Sequence, residues 1–254
     1  MSKKSGNVLL SPEQKLELGL AMTKAIPWDM SPELAQKCIG SRFLKSGVRQ
    51  LLMPSEPERS MAVLDADSVV GQFAEEWERL YRDKFGLTAD FSQVRVPVVP
   101  TNFSGFNWLM FVAKGLTPNA VYAVCESMFP CYRYISDLDA AVKGRNDREP
   151  IEHYAVWLRD RAEPDEELKK LSANQLAAYG VAGNTLLEAL LLEPWYFSRS
   201  KGQHLNVANW NLCSGSRCSD GRVPHVGWRD GKFRVYCCSS DGANGNLRAR
   251  LAVS

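Results

Sequence analysis

The end of the chain alternates apolar and polar residues with a period of two, and this pattern constrains the fold more than any other feature. "KFRVYC" (232–237) and "LRARLAV" (247–253) both follow it. Successive side chains of a strand point to opposite faces, so each segment is predicted to be a strand with one buried face. The segments "SDGRVP", "RDGK" and "SSDGANGN" contain Asp-Gly pairs, which favour tight turns because glycine tolerates positive φ. We therefore expect an antiparallel C-terminal β-sheet.

The first part of the chain has the spacing of helices. "SPEQKLELGLAMTKAI" and "SPELAQKCIG" begin with Ser11-Pro12 and Ser31-Pro32, a cap followed by proline at the first helical position. "DADSVVGQFAEEWERLYRDKFG" carries its apolar residues at intervals of three and four, which places Trp77 in a core. These patterns predict a helical segment over residues 1–90.

Helices and strands are mixed in the middle of the chain. "SQVRVPVVP" is predicted to be an edge strand because Pro97 removes a ladder donor, and "NWLMFVAKG" and "HYAVWLRDR" are predicted strands. Thr117 and Pro118 start one helix, and "NTLLEALLLEPWYFSRSKG" is another, capped by Asn184 and kinked or ended by Pro194. The fold class is therefore α+β: a helical N-terminal segment, then an α+β domain over 91–254 closed by the C-terminal sheet.

Composition points to an ordinary globular protein. Hydrophobic residues make up 45% of the chain and charged residues 24%. There is no run of about 18 apolar residues and no secretory signal, so we expect no membrane partner and a cytoplasmic protein. In that compartment the seven cysteines should stay reduced.

Positive charge is concentrated at the end of the chain. Residues 199–254 contain nine basic and three acidic residues, which suggests a face for an anionic partner, either nucleic acid or an acidic protein surface. Strand alternation would gather Arg234, Tyr236, Arg248 and Arg250 on the polar face. The turns would add Arg217, Arg222 and Trp228 to this binding surface. The alternative is that these arginines pair with acidic helices of the same chain.

A hydrolase is the alternative function. His225, with Asp220 and a nearby serine such as Ser216, has the residue types of a base, an orienting acid and a nucleophile. The fold must bring the three within hydrogen-bond reach. No G-x-S-x-G nucleophile elbow is present.

Four cysteines in the tail raise the possibility of zinc. Cys213, Cys218, Cys237 and Cys238 could supply four thiolates. The spacing is poor, and neighbouring Cys237 and Cys238 would point to opposite faces of a strand. The favoured interpretation is core packing, which also holds for Cys125 on its helix. We predict no cofactor.

Several motifs resemble those of a group of bacterial proteins that has no assigned activity. The motifs are "GLTPNAVYAVCESMFPCYRY", "NDREP", "LSANQL", "TLLEALLLE" and "LCSGSRCSDGRVPHVGW", in this order over about residues 93–254. The resemblance implies a bacterial, cytoplasmic protein and supplies no site residues. Cys218 stands where that group usually has an aromatic residue, which weighs against a shared task for the cysteines.

The sequence thus favours a non-enzymatic binding protein that uses the basic C-terminal sheet. Hydrolysis by His225 is kept as the alternative.

Overall fold

The computed structural model describes residues 68–99 and 103–254. The chain divides into two compact units, Met1–Glu56 with Pro100–Phe103, and Pro57–Val99 with Ser104–Ser254. The helices predicted to begin at Ser11 and Ser31 lie outside the described residues. Within the described residues the second unit contains both helices and β-sheets, which confirms the predicted α+β fold class.

Helix α1 (Val69–Leu80) packs on the first strand, β1 (Trp108–Val112). Trp77 is fully buried on its apolar face, and its indole Nε1 donates to Leu109 O at 2.8 Å. The Trp77 ring also stacks on Trp195, with centroids 5.5 Å apart. The prediction that Trp77 is a core residue is confirmed.

Strand β1 pairs antiparallel with β3 (Tyr154–Leu158) in a two-stranded sheet. Both strands fall where the sequence predicts them. Four of the five residues of β1 are buried, which explains why the segment is a continuous apolar run rather than an alternating one.

The edge strand predicted over "SQVRVPVVP" is wrong, because the described residues 92–99 contain no strand. Val94 and Val96 are nevertheless buried, so the β-branched residues pack without a ladder. Pro97 has no N–H for a ladder, and its carbonyl accepts a hydrogen bond from Trp157 Nε1 at 2.8 Å.

Helix α2 (Pro118–Met128) and the last helix, α5 (Leu186–Arg199), pack against each other. Thr117 caps α2 as predicted. Thr185, not Asn184, caps α5, because Thr185 forms a reciprocal capping box with Glu188 three residues into the helix.

Pro194 lies inside α5, which continues to Arg199, so of the two predicted alternatives, a kink or an end at this proline, the end does not occur. A proline leaves the carbonyl four residues earlier without its helical donor. Here that carbonyl is Leu190 O, and it lies 3.8 Å from the thiol of Cys125 on α2. Cys125 is therefore a core residue, as predicted, and its S–H partly replaces the missing bond.

Two short helices, α3 (Leu138–Val142) and α4 (Ala173–Ala178), connect these elements to a five-stranded sheet. The strand order of this sheet is β2-β6-β5-β4-β7. Its strands are β2 (Cys131–Arg133), β4 (Trp210–Leu212), β5 (Val223–Arg229), β6 (Lys232–Cys238) and β7 (Leu247–Ala249).

The sheet is mixed, so the prediction of an antiparallel C-terminal sheet is wrong in part. The β4–β5 and β5–β6 pairs are antiparallel, whereas β2–β6 and β4–β7 are parallel. Only β5 and β6 are joined by a two-residue turn, Asp230-Gly231, with positive φ at both positions, which requires antiparallel neighbours. The other strands are joined by longer connections, which allow either parallel or antiparallel pairing.

The two faces of the sheet have different environments. Phe233 and Val235 of β6 point into the main core. On the other face, β7 contacts the 3-10 turn Glu166–Leu168, and Leu247 and Ala249 are buried there. The opposite end of that face, where β2 and β6 pair, is exposed at Tyr132 and Tyr134.

None of the helices in residues 68–99 and 103–254 combines the length and the apolar character that a membrane span requires.

Candidate functional site

The arginines predicted to share one basic face are spread over the sheet. β6 and β7 are not neighbours, because β5 and β4 lie between them. Arg234 on β6 and Arg248 on β7 therefore do not lie side by side. The register also places Arg248 in one row with Asn211, Val226 and Val235, on the face opposite to Arg234. The predicted cluster is wrong, because the alternation within a segment fixes neither the strand order nor the side of the sheet that the segment turns to the core.

Arg250 does not belong to any surface. It is 1% exposed, and its guanidinium donates to Arg161 O and Ala162 O, each at 2.8 Å, and to Asn206 Oδ1 at 3.0 Å. Burial lowers the pKa of Arg250 to about 10, so the group is still charged at neutral pH. Its role is structural, because its hydrogen bonds hold two separate segments of the chain together inside the fold.

Three more of the predicted binding residues make internal contacts. Arg248 forms an ion pair with Glu166. Arg217 donates to Ser214 O at 2.7 Å and to Ser216 O at 3.0 Å. The Trp228 ring stacks on His204, with centroids 3.3 Å apart and planes 8° apart. These side chains stabilise the fold rather than present a ligand surface.

Arg234, Tyr236 and Arg222 lie on the accessible part of the sheet. Arg234 and Tyr236 alternate with the buried Phe233 and Val235, as predicted. The strand register places Tyr132 of β2 opposite Arg234, and His225 of β5 opposite Tyr236. Residues opposite each other in paired strands share a face.

Five rings form a continuous surface here, which we call the aromatic face. Tyr236 is at its centre, with centroid distances of 5.6 Å to Tyr132, 6.5 Å to Tyr134, 5.8 Å to Trp210 and 6.1 Å to His225. Tyr134 is 62% exposed and Tyr132 is 42% exposed, whereas the other three rings are half-buried. The face therefore offers two open rings on a rigid support.

Guanidinium groups lie over the two exposed rings. Arg234 is 5.8 Å from the centroid of Tyr132, and Arg222 is 6.0 Å from that of Tyr134. Each arginine also pairs with a solvent-exposed aspartate, Arg234 with Asp230 and Arg222 with Asp220, both at 2.7 Å. Exposed ion pairs contribute only about 0–1 kcal/mol, so an anionic ligand can compete with Asp220 for Arg222 and with Asp230 for Nη2 of Arg234. The other nitrogens of Arg234 donate to Arg229 O and Tyr236 OH, each at 3.1 Å, and hold this guanidinium in place.

Sequence reasoning missed Tyr132, Tyr134 and Trp210. Tyr132 and Tyr134 stand on either side of Arg133 in the short segment "CYRYI" (131–135). This spacing of two predicts that the two rings lie on the same face of an extended segment. Their neighbour β6 is about a hundred positions later, and nothing local predicts that parallel pairing.

The hydrolase residues are not assembled into a catalytic group. Asp220 is bound to Arg222, and Ser216 Oγ donates to Asn146 Oδ1 at 2.6 Å and accepts from Leu186 N at 2.8 Å. Within the described residues, the Nδ1 atom of His225 is buried without a hydrogen-bond partner. The structure offers no base, acid and nucleophile in contact at this position.

His225 should make the folded protein sensitive to acid. Burial lowers its pKa from the ordinary 6.5 to about 4. As pH falls, His225 is protonated in the unfolded chain before it is protonated in the folded protein. The contribution of neutral His225 to the free energy of unfolding is therefore fully present above about pH 6.5 and is lost between there and about pH 4. Each pKa unit corresponds to about 1.4 kcal/mol, so acidification can lower the free energy of unfolding by up to about 3 kcal/mol through His225.

The variant His225→Phe should therefore lose less stability than the wild type between pH 7 and pH 4.5. Urea unfolding at both pH values measures the difference, and comparison with wild type cancels the contribution of the carboxylates. An identical pH dependence in the two proteins would contradict the assignment.

The four tail cysteines do not converge on one point. Cys237 and Cys238 lie on opposite faces of β6, as predicted. Cys213 Sγ is directed to Asn211 O at 3.8 Å and Cys238 Sγ to Val223 O at 3.7 Å. Across residues 68–99 and 103–254, no group of three or more His, Cys, Asp or Glu side chains is placed to hold a metal ion.

The fold and the surface together define an α+β unit. One face of its mixed sheet is exposed to solvent where β2 pairs with β6, and aromatic rings and arginines line that part. Models of protein families, curated proteins and solved structures were all compared with the chain, and none matches. The resemblance to a bacterial group therefore stays a prediction.

Proposed function

We propose that this protein is a non-enzymatic binding protein that holds single-stranded nucleic acid on its aromatic face. The observation that carries the proposal is the pair of exposed rings, Tyr132 and Tyr134, each with a guanidinium group over it. A ring that is open to solvent can stack on a base, and an arginine beside it can contact a phosphate.

The spacing of the two tyrosines suits an extended strand of nucleotides. Tyr132 lies in β2 and Tyr134 is the first residue after it, where its N–H still donates to Val235 O at 3.0 Å. Residues two apart on an extended segment are about 6.6 Å apart along the chain. Adjacent bases of a single strand can be splayed to such a distance and stack on separate rings. The bases of a duplex are stacked on each other and cannot do this, so single strands are the expected ligand.

The charges support the same ligand class. Arg222 and Arg234 lie at the exposed rings, and the basic 199–254 segment carries both. A protein partner with an acidic surface would also meet these charges. It would not need two open, planar rings two residues apart at the end of β2, so the aromatic arrangement favours nucleic acid.

A titration of labelled oligonucleotides of mixed sequence, followed by fluorescence anisotropy, tests the proposal. We expect the Tyr132→Ala/Tyr134→Ala variant to weaken binding by at least roughly thirtyfold, because stacking contributes about 1–3 kcal/mol per base and the variant removes two rings. The affinity should fall as salt increases, since phosphate contacts release counterions.

Two matched controls isolate the rings. The Tyr132→Phe/Tyr134→Phe variant keeps both π-faces and should bind like the wild type. Ile151→Ala removes a different exposed apolar side chain, which is 77% exposed, and should have no effect. Absence of binding to single strands at low salt rejects the proposal, as does an alanine variant that binds like the wild type. In either case an acidic protein surface becomes the candidate partner.

A further inference from the structure

Two cysteine thiols are in contact beside strand β6. The Sγ atoms of Cys218 and Cys237 are 3.0 Å apart, and both thiols are free. Cys218 lies in the connection between β4 and β5, and Cys237 faces Pro224 of β5 in the ladder. Because a disulfide bond is about 2.0 Å long, the sulfurs need to approach by only about 1 Å.

The surroundings leave room for this approach. A small apolar cavity borders both cysteines and is lined also by Ile135, Leu138 and Val235. A side chain beside a cavity can move without displacing close-packed neighbours. Cys213 and Cys238 are directed to backbone carbonyls instead and do not compete for either sulfur.

The two thiols differ in reactivity. Cys218 is 3% exposed, whereas Cys237 is half-buried. The hydrogen bond from Cys218 lowers the pKa of the Cys237 thiol; burial opposes this shift, and the Arg222 guanidinium adds to it. The thiolate is the attacking species in exchange reactions, so Cys237 has the properties of the first nucleophile.

We propose that Cys218 and Cys237 form a reversible disulfide by exchange with a low-molecular-weight disulfide. The Cys237 thiolate attacks one sulfur of that disulfide, forms a mixed disulfide and releases one thiolate. Cys218 then loses its proton and attacks the Cys237 sulfur, and the second thiolate leaves. The two protein thiols are oxidised, the external disulfide is reduced to two thiols, and the two protons of the protein go to them.

The site does not depend on the proposed nucleic-acid ligand. It rests on two sulfur atoms on the core side of β6, whereas Tyr236 points to the aromatic face.

Oxidation of the purified, reduced full chain by glutathione disulfide tests the proposal. After acid quenching, free thiols are alkylated with iodoacetamide and the digest is analysed by mass spectrometry. We expect one cross-linked pair of peptides, joined through Cys218 and Cys237 and lighter by two hydrogen atoms. Dithiothreitol should restore alkylation of both cysteines.

Serine variants test the order of the steps. Cys218→Ser should stop at a mixed disulfide on Cys237, Cys237→Ser should form neither product, and Cys238→Ser should behave like the wild type. The proposal is overturned if Cys218 and Cys237 remain alkylated in the oxidised wild type, or if the cross-link joins Cys237 to Cys238. Accumulation of the mixed disulfide on Cys218 overturns the assigned order.

Discussion

Replacing Glu188 by alanine should lower the free energy of unfolding by about 3–5 kcal/mol, the cost of breaking a buried ion pair by removing one partner. Glu188 is fully buried at the start of α5. Its Oε1 and Oε2 accept hydrogen bonds from Arg148 Nε at 2.7 Å and Arg148 Nη2 at 2.8 Å. The side chain of Arg148 is only 12% exposed, so the variant leaves a positive charge without compensation.

Glu188 also satisfies two other groups, which adds to the loss. It accepts from Tyr154 OH at 3.1 Å and from Thr185 N at 2.8 Å, the second being half of the capping box. Burial acts to raise the pKa of Glu188, but Arg148 and these hydrogen bonds outweigh it, so the pKa is below its ordinary value. The carboxylate is therefore charged at neutral pH, and its contribution is lost as pH falls through this lowered pKa.

Urea unfolding of the single variants and of Arg148→Met/Glu188→Leu measures the pair. The double variant should cost less than the sum of Arg148→Met and Glu188→Leu, because it removes both charges and leaves neither buried alone. Additive losses would contradict the ion pair. Glu188→Gln keeps the shape and part of the hydrogen bonding, and should fall between Glu188→Ala and the wild type.

Arg250→Ala should also cost about 3–5 kcal/mol, because it strands buried acceptors and leaves a cavity. The three oxygens that Arg250 joins belong to Arg161, Ala162 and Asn206. Total stabilities of domains are only about 5–15 kcal/mol. A loss of oligonucleotide binding in this variant would therefore report on folding rather than on contact with a ligand.

Arg248→Ala is the matched control, since Arg248 lies two residues away and pairs with Glu166, whose side chain is 60% exposed. The side chain of Arg248 is itself 11% exposed, so the variant loses buried contacts, but it leaves only the exposed Glu166 without its partner. We expect a loss of about 1–2 kcal/mol. Arg250→Lys keeps the charge but lacks the planar fork that reaches all three acceptors, so it should remain strongly destabilised. Urea midpoints for the three variants check the order, and an Arg250→Ala loss equal to that of Arg248→Ala would contradict the structural role.

The helix caps and the strand faces could be predicted because both depend on residues close in sequence. Thr117 caps α2 and Arg234 and Tyr236 lie opposite the buried face of β6, both as predicted. Ser172 and Gln175, three residues apart, form a capping box at the start of α4. The error at Asn184 was local, whereas the continuation of α5 past Pro194 involves a contact between two helices. Thr185 had a partner three residues later in Glu188, and Cys125 compensated the proline from another helix.

The candidate site was predictable only in part, because its members come from strands that are distant in sequence. Arg234 and Tyr236 lie on the polar face of β6, and Arg222 lies in the turn before β5, where the sequence pattern placed them. Tyr132 and Tyr134 join them only through the parallel pairing of β2 with β6. Arg248 and Arg250 were grouped with them because two alternating segments of similar pattern suggest adjacent strands, whereas β5 and β4 lie between.

The sequence by itself determined the positions of α1, α2 and α5 and of β1, β3, β6 and β7, although it also predicted a strand over 92–100, where the described residues 92–99 contain none. Through periods of 3.6 and 2 it also determined the apolar sides of α1, β6 and β7. Only the tertiary structure decided which strands are neighbours, and with that which polar residues meet on the aromatic face and which, like Arg250, are enclosed. The physical reason is that side-chain direction follows from local backbone geometry, whereas strand order depends on contacts between residues far apart in the chain.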